Sequence, residues 1–180
     1  MPSKSPSKAK TTKLNAKGLI VEKPFVEEED LKSRKKVKIV DLFAGCGTLS
    51  LPLLDHIANL LAVEQSEDAL AALKFGVDAA GIGGRVKTAS RNLFDAPLMP
   101  DELEGFDMAI LDPPRSGAAA QCQMLAQSNI ATIAMVSCNP ASFARDAAIL
   151  TDSGFQLEWV QVIDQFSFSN HLELIGAFRR

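Results

Sequence analysis

From Val37 onward, short apolar runs alternate with longer stretches whose apolar residues recur every three or four positions. The runs Val37–Phe43, Asn59–Glu64, Arg85–Ala89, Phe106–Leu111, Ile130–Val136, Gln156–Ile163 and Leu172–Phe178 predict strands. Between them, helical spacing predicts helices over Thr48–His56, Glu67–Ala80, Ala118–Ser128 and Ala141–Ser153. Strands separated by helices pair in parallel, with helices on both faces of the sheet. The last two strands are joined through residues 164–171 with no helix between them, so they must run antiparallel. The expected fold is therefore α/β, a mostly parallel sheet ending in an antiparallel hairpin.

The first 36 residues break this pattern. Residues 1–17 carry Lys4, Lys8, Lys10, Lys13 and Lys17 without an acid and read as a disordered basic tail. Residues 18–36 read as a mixed-charge lead-in, with the acidic cluster Glu27–Asp30 followed by Lys32, Arg34, Lys35 and Lys36. That leaves 37–180 as the folded domain, a length that supports a real core. The net charge is −3 and the tail contributes +5, so residues 18–180 hold −3 − 5 = −8. An acidic globular part is by itself a poor match for nucleic-acid phosphates. The tail either supplies that attraction or is simply a solvated leader.

No apolar run approaches a membrane span. No apolar stretch follows the N-terminal lysines, so nothing there reads as a secretory signal. Cys46, Cys122 and Cys138 form neither a CxxC nor a metal spacing, so no metal is expected and a reduced, cytoplasmic setting is the simplest reading. Cys46 reads as a small buried filler of its loop.

Ligands of such sheets sit outside the C-terminal ends of the strands. The candidate chemistry is concentrated there. Asp41-Leu42-Phe43-Ala44-Gly45-Cys46-Gly47-Thr48 follows the first strand. Gly45 and Gly47 allow a tight turn, and Thr48 is placed to cap the next helix. A dinucleotide fingerprint would want a third glycine where Ser50 stands. Glu64 ends the second strand, where a carboxylate can accept from both ribose hydroxyls, and Asn92 follows the third, within reach of an adenine edge. The set favours S-adenosylmethionine over a nicotinamide dinucleotide.

Two further strand tips carry Asp112-Pro113-Pro114-Arg115 and Ser137-Cys138-Asn139-Pro140, and the last strand opens with His171-Leu172-Glu173. Carbon 5 of uracil is a poor nucleophile until a thiolate adds to carbon 6. A base must then remove the carbon 5 proton before the cysteine leaves. Cys138 and Glu173 are the candidates for these two roles, and His171 for an orienting or structural one. Arg115 reads as a phosphate or loop-carboxylate partner, and Arg145 and Asp146 as structural.

The segments DLFAGCGTLSLPLL, VE, DPPRSG, VSCNPASFARD and DQFSFSNHLE resemble the catalytic domain of the bacterial RNA uracil-5-methyltransferase family, which modifies tRNA and 23S ribosomal RNA. The resemblance runs from about Val40 to the C-terminus. It implies a class I, Rossmann-like methyltransferase fold that uses S-adenosylmethionine. It further implies Cys138 as nucleophile, Glu173 as proton acceptor, and cofactor contacts at Phe43, Thr48, Glu64, Asn92 and Asp112, beside the glycines of the loop, Gly45 and Gly47. The implied partner is an RNA whose target base leaves its stack to meet the cysteine. Residues 1–36 show no counterpart of the family's N-terminal RNA-binding domain or of its Phe-x-Gln segment. A second expectation is therefore a cofactor-binding catalytic half that needs a separate RNA-binding domain or chain. A nicotinamide-dependent oxidoreductase is the third, and neither DPPR nor SCNP asks for it.

Overall fold

A computed structural model describes residues 36–164 and 172–180. The expectations for residues 1–35, and for the segment from Gln165 to His171, lie outside the described residues. In chain order the described elements are β1 (Val37–Leu42), β2 (Ile57–Glu64), α1 (Glu67–Ala79), β3 (Val86–Ser90), β4 (Met108–Leu111), α2 (Ala119–Gln127), β5 (Thr132–Ser137), α3 (Pro140–Asp152), β6 (Gln156–Ile163) and β7 (Glu173–Arg179).

The strands form one seven-stranded sheet in the order β3-β2-β1-β4-β5-β7-β6. Pairs within β3-β2-β1-β4-β5 are parallel. β7 is antiparallel to β5 on one side and to β6 on the other. The hairpin expected from the missing crossover helix is present. Its second strand enters the sheet interior and leaves β6 at the edge, where all eight of its residues are exposed.

Strand alternation divides the core. Val40, Leu42, Ala109, Leu111, Ile133, Met135 and Phe178 lie in one cluster with Cys122 and Leu125 of α2 and with Phe143, Ala147 and Leu150 of α3. Ile39, Leu60 and Ile110 form a second cluster, and Ala62 packs with Leu73 and Val77 of α1 in a third. α1 starts where Ser66 Oγ accepts from Ala69 N, and Glu67 and Asp68 in its first turn suit the positive helix end.

The helix expected over Thr48–His56 does not form. Only Leu51–Leu53 are helical, in a 3-10 turn without a side-chain cap, so Thr48 caps nothing. Leu51 N donates to Gly47 O, four residues back, at 2.9 Å, but Pro52 has no N–H to continue that ladder. The following bonds, Leu53 N to Ser50 O and Leu54 N to Leu51 O, reach back three residues. β4 also starts two residues later than expected, because Phe106 N closes a turn on Leu103 O.

Phe178, 0% exposed, anchors β7 against Phe143 of α3 with ring centroids 6.3 Å apart. Phe178→Ala should cost about 3–5 kcal/mol in urea unfolding. A loss below about 1 kcal/mol would contradict the interior position of β7.

Candidate functional site

The parallel register brings the strand ends level. Leu42 pairs with Val63 of β2 and with Leu111 of β4, and Leu111 pairs with Met135 of β5. The next residues, Phe43, Glu64, Asp112 and Val136, therefore stand together at one rim of the sheet. Two adjoining cavities open there and share Phe43 and Asp112. The larger, about 340 Å³, has Glu64, Arg91, Leu93 and Phe94 in its wall. The smaller, about 180 Å³, is bounded by Asp41, Gly45, Cys46 and Thr48.

Phe43 has φ 62°, in the left-handed region that a bulky side chain rarely adopts. The turn sets its ring 5.3 Å from that of Phe94, at a tilt of 53°, so the two rings form an aromatic wall. Gly47, at φ 84°, is needed where it stands. A Cβ there would lie 2.8 Å from Leu51 Cγ. This winding also corrects the expectation for Cys46. The side chain is exposed, not buried filler, with Sγ 3.4 Å from Thr48 Oγ1.

Glu64 ties the loop to the rim. Its Oε2 accepts from Gly45 N at 2.9 Å, and its Oε1 accepts from Gln65 N at 2.8 Å and Ser66 N at 2.9 Å. A carboxylate offers about four acceptor sites, which leaves room for roughly one more donor instead of a pair of hydroxyls. Asn92 is also committed. Its Nδ2 donates to Asp95 Oδ2 at 2.6 Å and its Oδ1 accepts from Phe94 N at 3.0 Å. It is absent from the wall of the larger cavity, and both of its bonds lie within its own turn, the second to the backbone of Phe94. Arg91 holds the same loop from the other side, forked onto Glu102 at 2.6 and 3.0 Å.

The group that sequence reasoning passed over is Asp41. It is 1% exposed, and neither of its oxygens makes a hydrogen bond among the described residues. Burial raises its pKa to about 6, opposed by the nearby Ser50 hydroxyl and reinforced by the charges of Asp112 and Glu64. Ser50 Oγ approaches without completing a hydrogen bond and is likewise orphaned. Asp112 is solvent-exposed on its outer side, yet the flanking protein raises its pKa, and the negative charge of Glu173 adds to the effect.

The antiparallel ladder brings Glu173 and Cys138 to the same end of β7 and β5. Ser137 of β5 pairs with Leu174 of β7. That is the last pair of the ladder; Cys138 follows it in a bend and Glu173 precedes Leu174, so both lie at that end of the two strands. Cys138 is a half-buried free thiol. The structure thus gathers Phe43, Gly45, Thr48, Glu64, Asp112, Cys138 and Glu173 at one rim. Gly47 lies in the turn after β1, and Asn92 accepts from Phe94 N in the loop after β3. Among the described residues no His, Cys, Asp and Glu group has the makings of a metal site, and no helix is long and apolar enough to cross a membrane.

Residues 98–178 match the family described as tRNA (Uracil-5-)-methyltransferase. A protein of Caulobacter vibrioides named as an uncharacterized RNA methyltransferase is 39% identical over 159 residues, which are 88% of this chain and 38% of that protein. A 23S rRNA (uracil(1939)-C(5))-methyltransferase of Alteromonas naphthalenivorans is 35% identical over 144 residues, 79% of this chain and 30% of that protein. Among solved structures, the Pyrococcus abyssi tRNA (uracil-54, C5)-methyltransferase, crystallised with S-adenosyl-L-homocysteine, superposes with a TM-score of 0.68 at 24% identity, over 83% of this chain and 36% of that one. The matched part of the chain spans between 30% and 38% of the length of these proteins.

Asp41 makes stability pH-dependent in a defined direction. The folded state holds its proton up to about pH 6, whereas an unfolded aspartate releases it near 3.8. Its contribution is therefore full below about pH 4 and is lost as pH rises through 6. The displacement corresponds to about 3 kcal/mol. Asp41→Asn should gain about 2–3 kcal/mol relative to the native chain between pH 4 and pH 8, read from urea unfolding at each pH. A difference that stays flat across that range would show that the carboxylate is solvated.

Proposed function

The chain belongs to the RNA uracil-5-methyltransferase family, and from that premise we propose that residues 37–180 are the catalytic domain of an S-adenosylmethionine-dependent enzyme that methylates carbon 5 of a uridine in RNA. The observation that supports the reading is the end of the β5–β7 ladder at Ser137 and Leu174, which leaves Cys138 and Glu173 at the same end of the two strands, with the charge of Glu173 acting on Asp112.

The residues at the rim suit the cofactor. Asp41 is a buried carboxylate without a partner and can accept from a cationic group. Glu64 keeps capacity for a hydroxyl donor, and the Phe43–Phe94 wall offers apolar faces to a flat ring. When bound, S-adenosylmethionine supplies the sulfonium methyl group. Cys138 Sγ forms a bond to carbon 6 of the uracil and makes carbon 5 nucleophilic. Glu173 accepts the carbon 5 proton once that carbon is substituted, and the electron pair left behind re-forms the ring double bond as the C–S bond breaks. Asp112 lies between the two halves of the site and holds the base edge. A second reading keeps the pocket but places RNA recognition in a separate domain or chain. It is favoured by the net charge of −8 on residues 18–180, which offers RNA phosphates no general attraction.

Both readings are tested by incubating the chain with S-adenosylmethionine and RNA carrying 5-fluorouridine, whose fluorine cannot leave as a proton does. The first predicts a covalent protein–RNA adduct by intact mass, absent in Cys138→Ala. An adduct formed equally by Cys138→Ala would contradict the nucleophile assignment. Binding of S-adenosylhomocysteine in calorimetry without any adduct would favour the second reading. With ordinary uridine RNA, Glu173→Gln should still form the Cys138 adduct but release product at least 100-fold more slowly, so that the adduct accumulates. Unchanged release would remove Glu173 from the base role.

A further inference from the structure

The loop that carries Asp112 and the loop that carries Cys138 are fastened together by polar side chains that the methyl-transfer scheme does not use. Asn139 follows the cysteine directly. Its Oδ1 accepts from Ala141 N at 3.0 Å and caps α3, while its Nδ2 donates to Arg115 O at 3.0 Å across to the other loop. Six residues later, Arg145 and Asp146 form a fork, with Arg145 Nε and Nη2 donating to Asp146 Oδ1 at 2.9 and 2.7 Å. The pair then reaches the same loop twice. Arg145 Nη2 donates to Ser116 O at 2.9 Å, and Asp146 Oδ2 accepts from Ala118 N at 2.6 Å. The backbone is thus held at residues 115, 116 and 118.

Gly117, between those anchors, has φ 75°. A Cβ there would overlap both Arg145 Nη2 and Asp146 Oδ2 and come within 2.9 Å of Ser142 Cβ. The loop therefore lies directly on the pair, with no space between. Docking α3 does not require this. Its apolar side, Phe143, Ala147 and Leu150, is already buried in the core. Asp146 is nonetheless 1% exposed, a buried charge that costs free energy unless its geometry is fully satisfied. A charge kept at such a cost fixes one arrangement of the two loops.

We infer that Asn139 and the Arg145–Asp146 pair are positioning residues that lock the Asp112–Gly117 loop to the Cys138 loop, so that carboxylate and thiol face the substrate as one rigid unit. The chemical half of this inference rests on the function proposed above; the mechanical half does not.

Asn139→Asp separates the lock from the helix cap. Aspartate caps a helix as well as asparagine does, but it turns an acceptor toward Arg115 O. In the full chain, trypsin should cut after Arg115 at least tenfold faster in Asn139→Asp than in the native protein, relative to cutting after Arg85. The adduct with 5-fluorouridine RNA should form at least tenfold more slowly, while S-adenosylhomocysteine affinity stays within threefold. Asp146→Asn should change the same two rates in the same direction. Val77→Ala, a core truncation in α1 remote from the lock, is the control for general destabilisation. Rates within twofold of native in both lock variants, or Val77→Ala reproducing both changes, would overturn the lock. If the native chain forms no adduct, the first reading of the function is what fails, and the cleavage rates alone decide the lock.

Discussion

The site depends on the register of three adjacent parallel strands. β1, β4 and β5 pair so that Leu42, Leu111 and Met135 end level, and everything chemical occurs in the residues that follow. Asp112 N still donates to Leu42 O at 3.3 Å, so the ladder reaches the very edge of the site. A slip of one residue in any strand would turn its tip side chains to the opposite face. β7 completes the arrangement from the other direction. Because it runs antiparallel beside β5, its beginning meets the end of β5, so Glu173 and Cys138 lie at the same end of the sheet.

The electrostatics follow from the same convergence. Asp41, Glu64, Asp112 and Glu173 are drawn to one rim; burial makes Asp41 and Asp112 bind protons more tightly, and the neighbouring carboxylates add to the effect. Such a rim favours a cationic ligand and disfavours close approach of phosphates. In the proposed reaction the methyl donor is the cation and the substrate is a polyanion. The uracil must therefore enter the pocket with its own phosphates held away from these carboxylates, which is what extrusion of the base from its stack achieves. The charge of −8 carried by residues 18–180 points the same way, since it offers RNA no general attraction.

Much of this was legible in the sequence because apolar strands and glycine turns leave local signatures. The five parallel strands, the closing hairpin and the tips bearing Glu64, Asp112, Cys138 and Glu173 all follow from runs and spacings. Other features did not. Thr48–His56 has helical spacing, but the missing N–H of Pro52 confines it to a 3-10 turn. Cys46 has the composition of core filler, yet the positive φ angles on either side turn it outward. The insertion of β7 between β5 and β6 is a matter of tertiary pairing that strand patterns do not encode. Asp41 was readable as an acid at a strand end. Its orphaned state depends on what surrounds it, as do the commitment of Asn92 to Asp95 and the grip of Arg145 and Asp146 on Ser116 and Ala118.

The central claim is that Cys138 opens carbon 5 of a uridine to substitution. The most direct test uses RNA tritiated at carbon 5 of uridine, with S-adenosylmethionine and the native chain, counting tritium released to water against methyl groups gained by the RNA. The account predicts one tritium released for each methyl group gained, with both lost in Cys138→Ala. Methyl gain with tritium retained would place the reaction at another atom and contradict it.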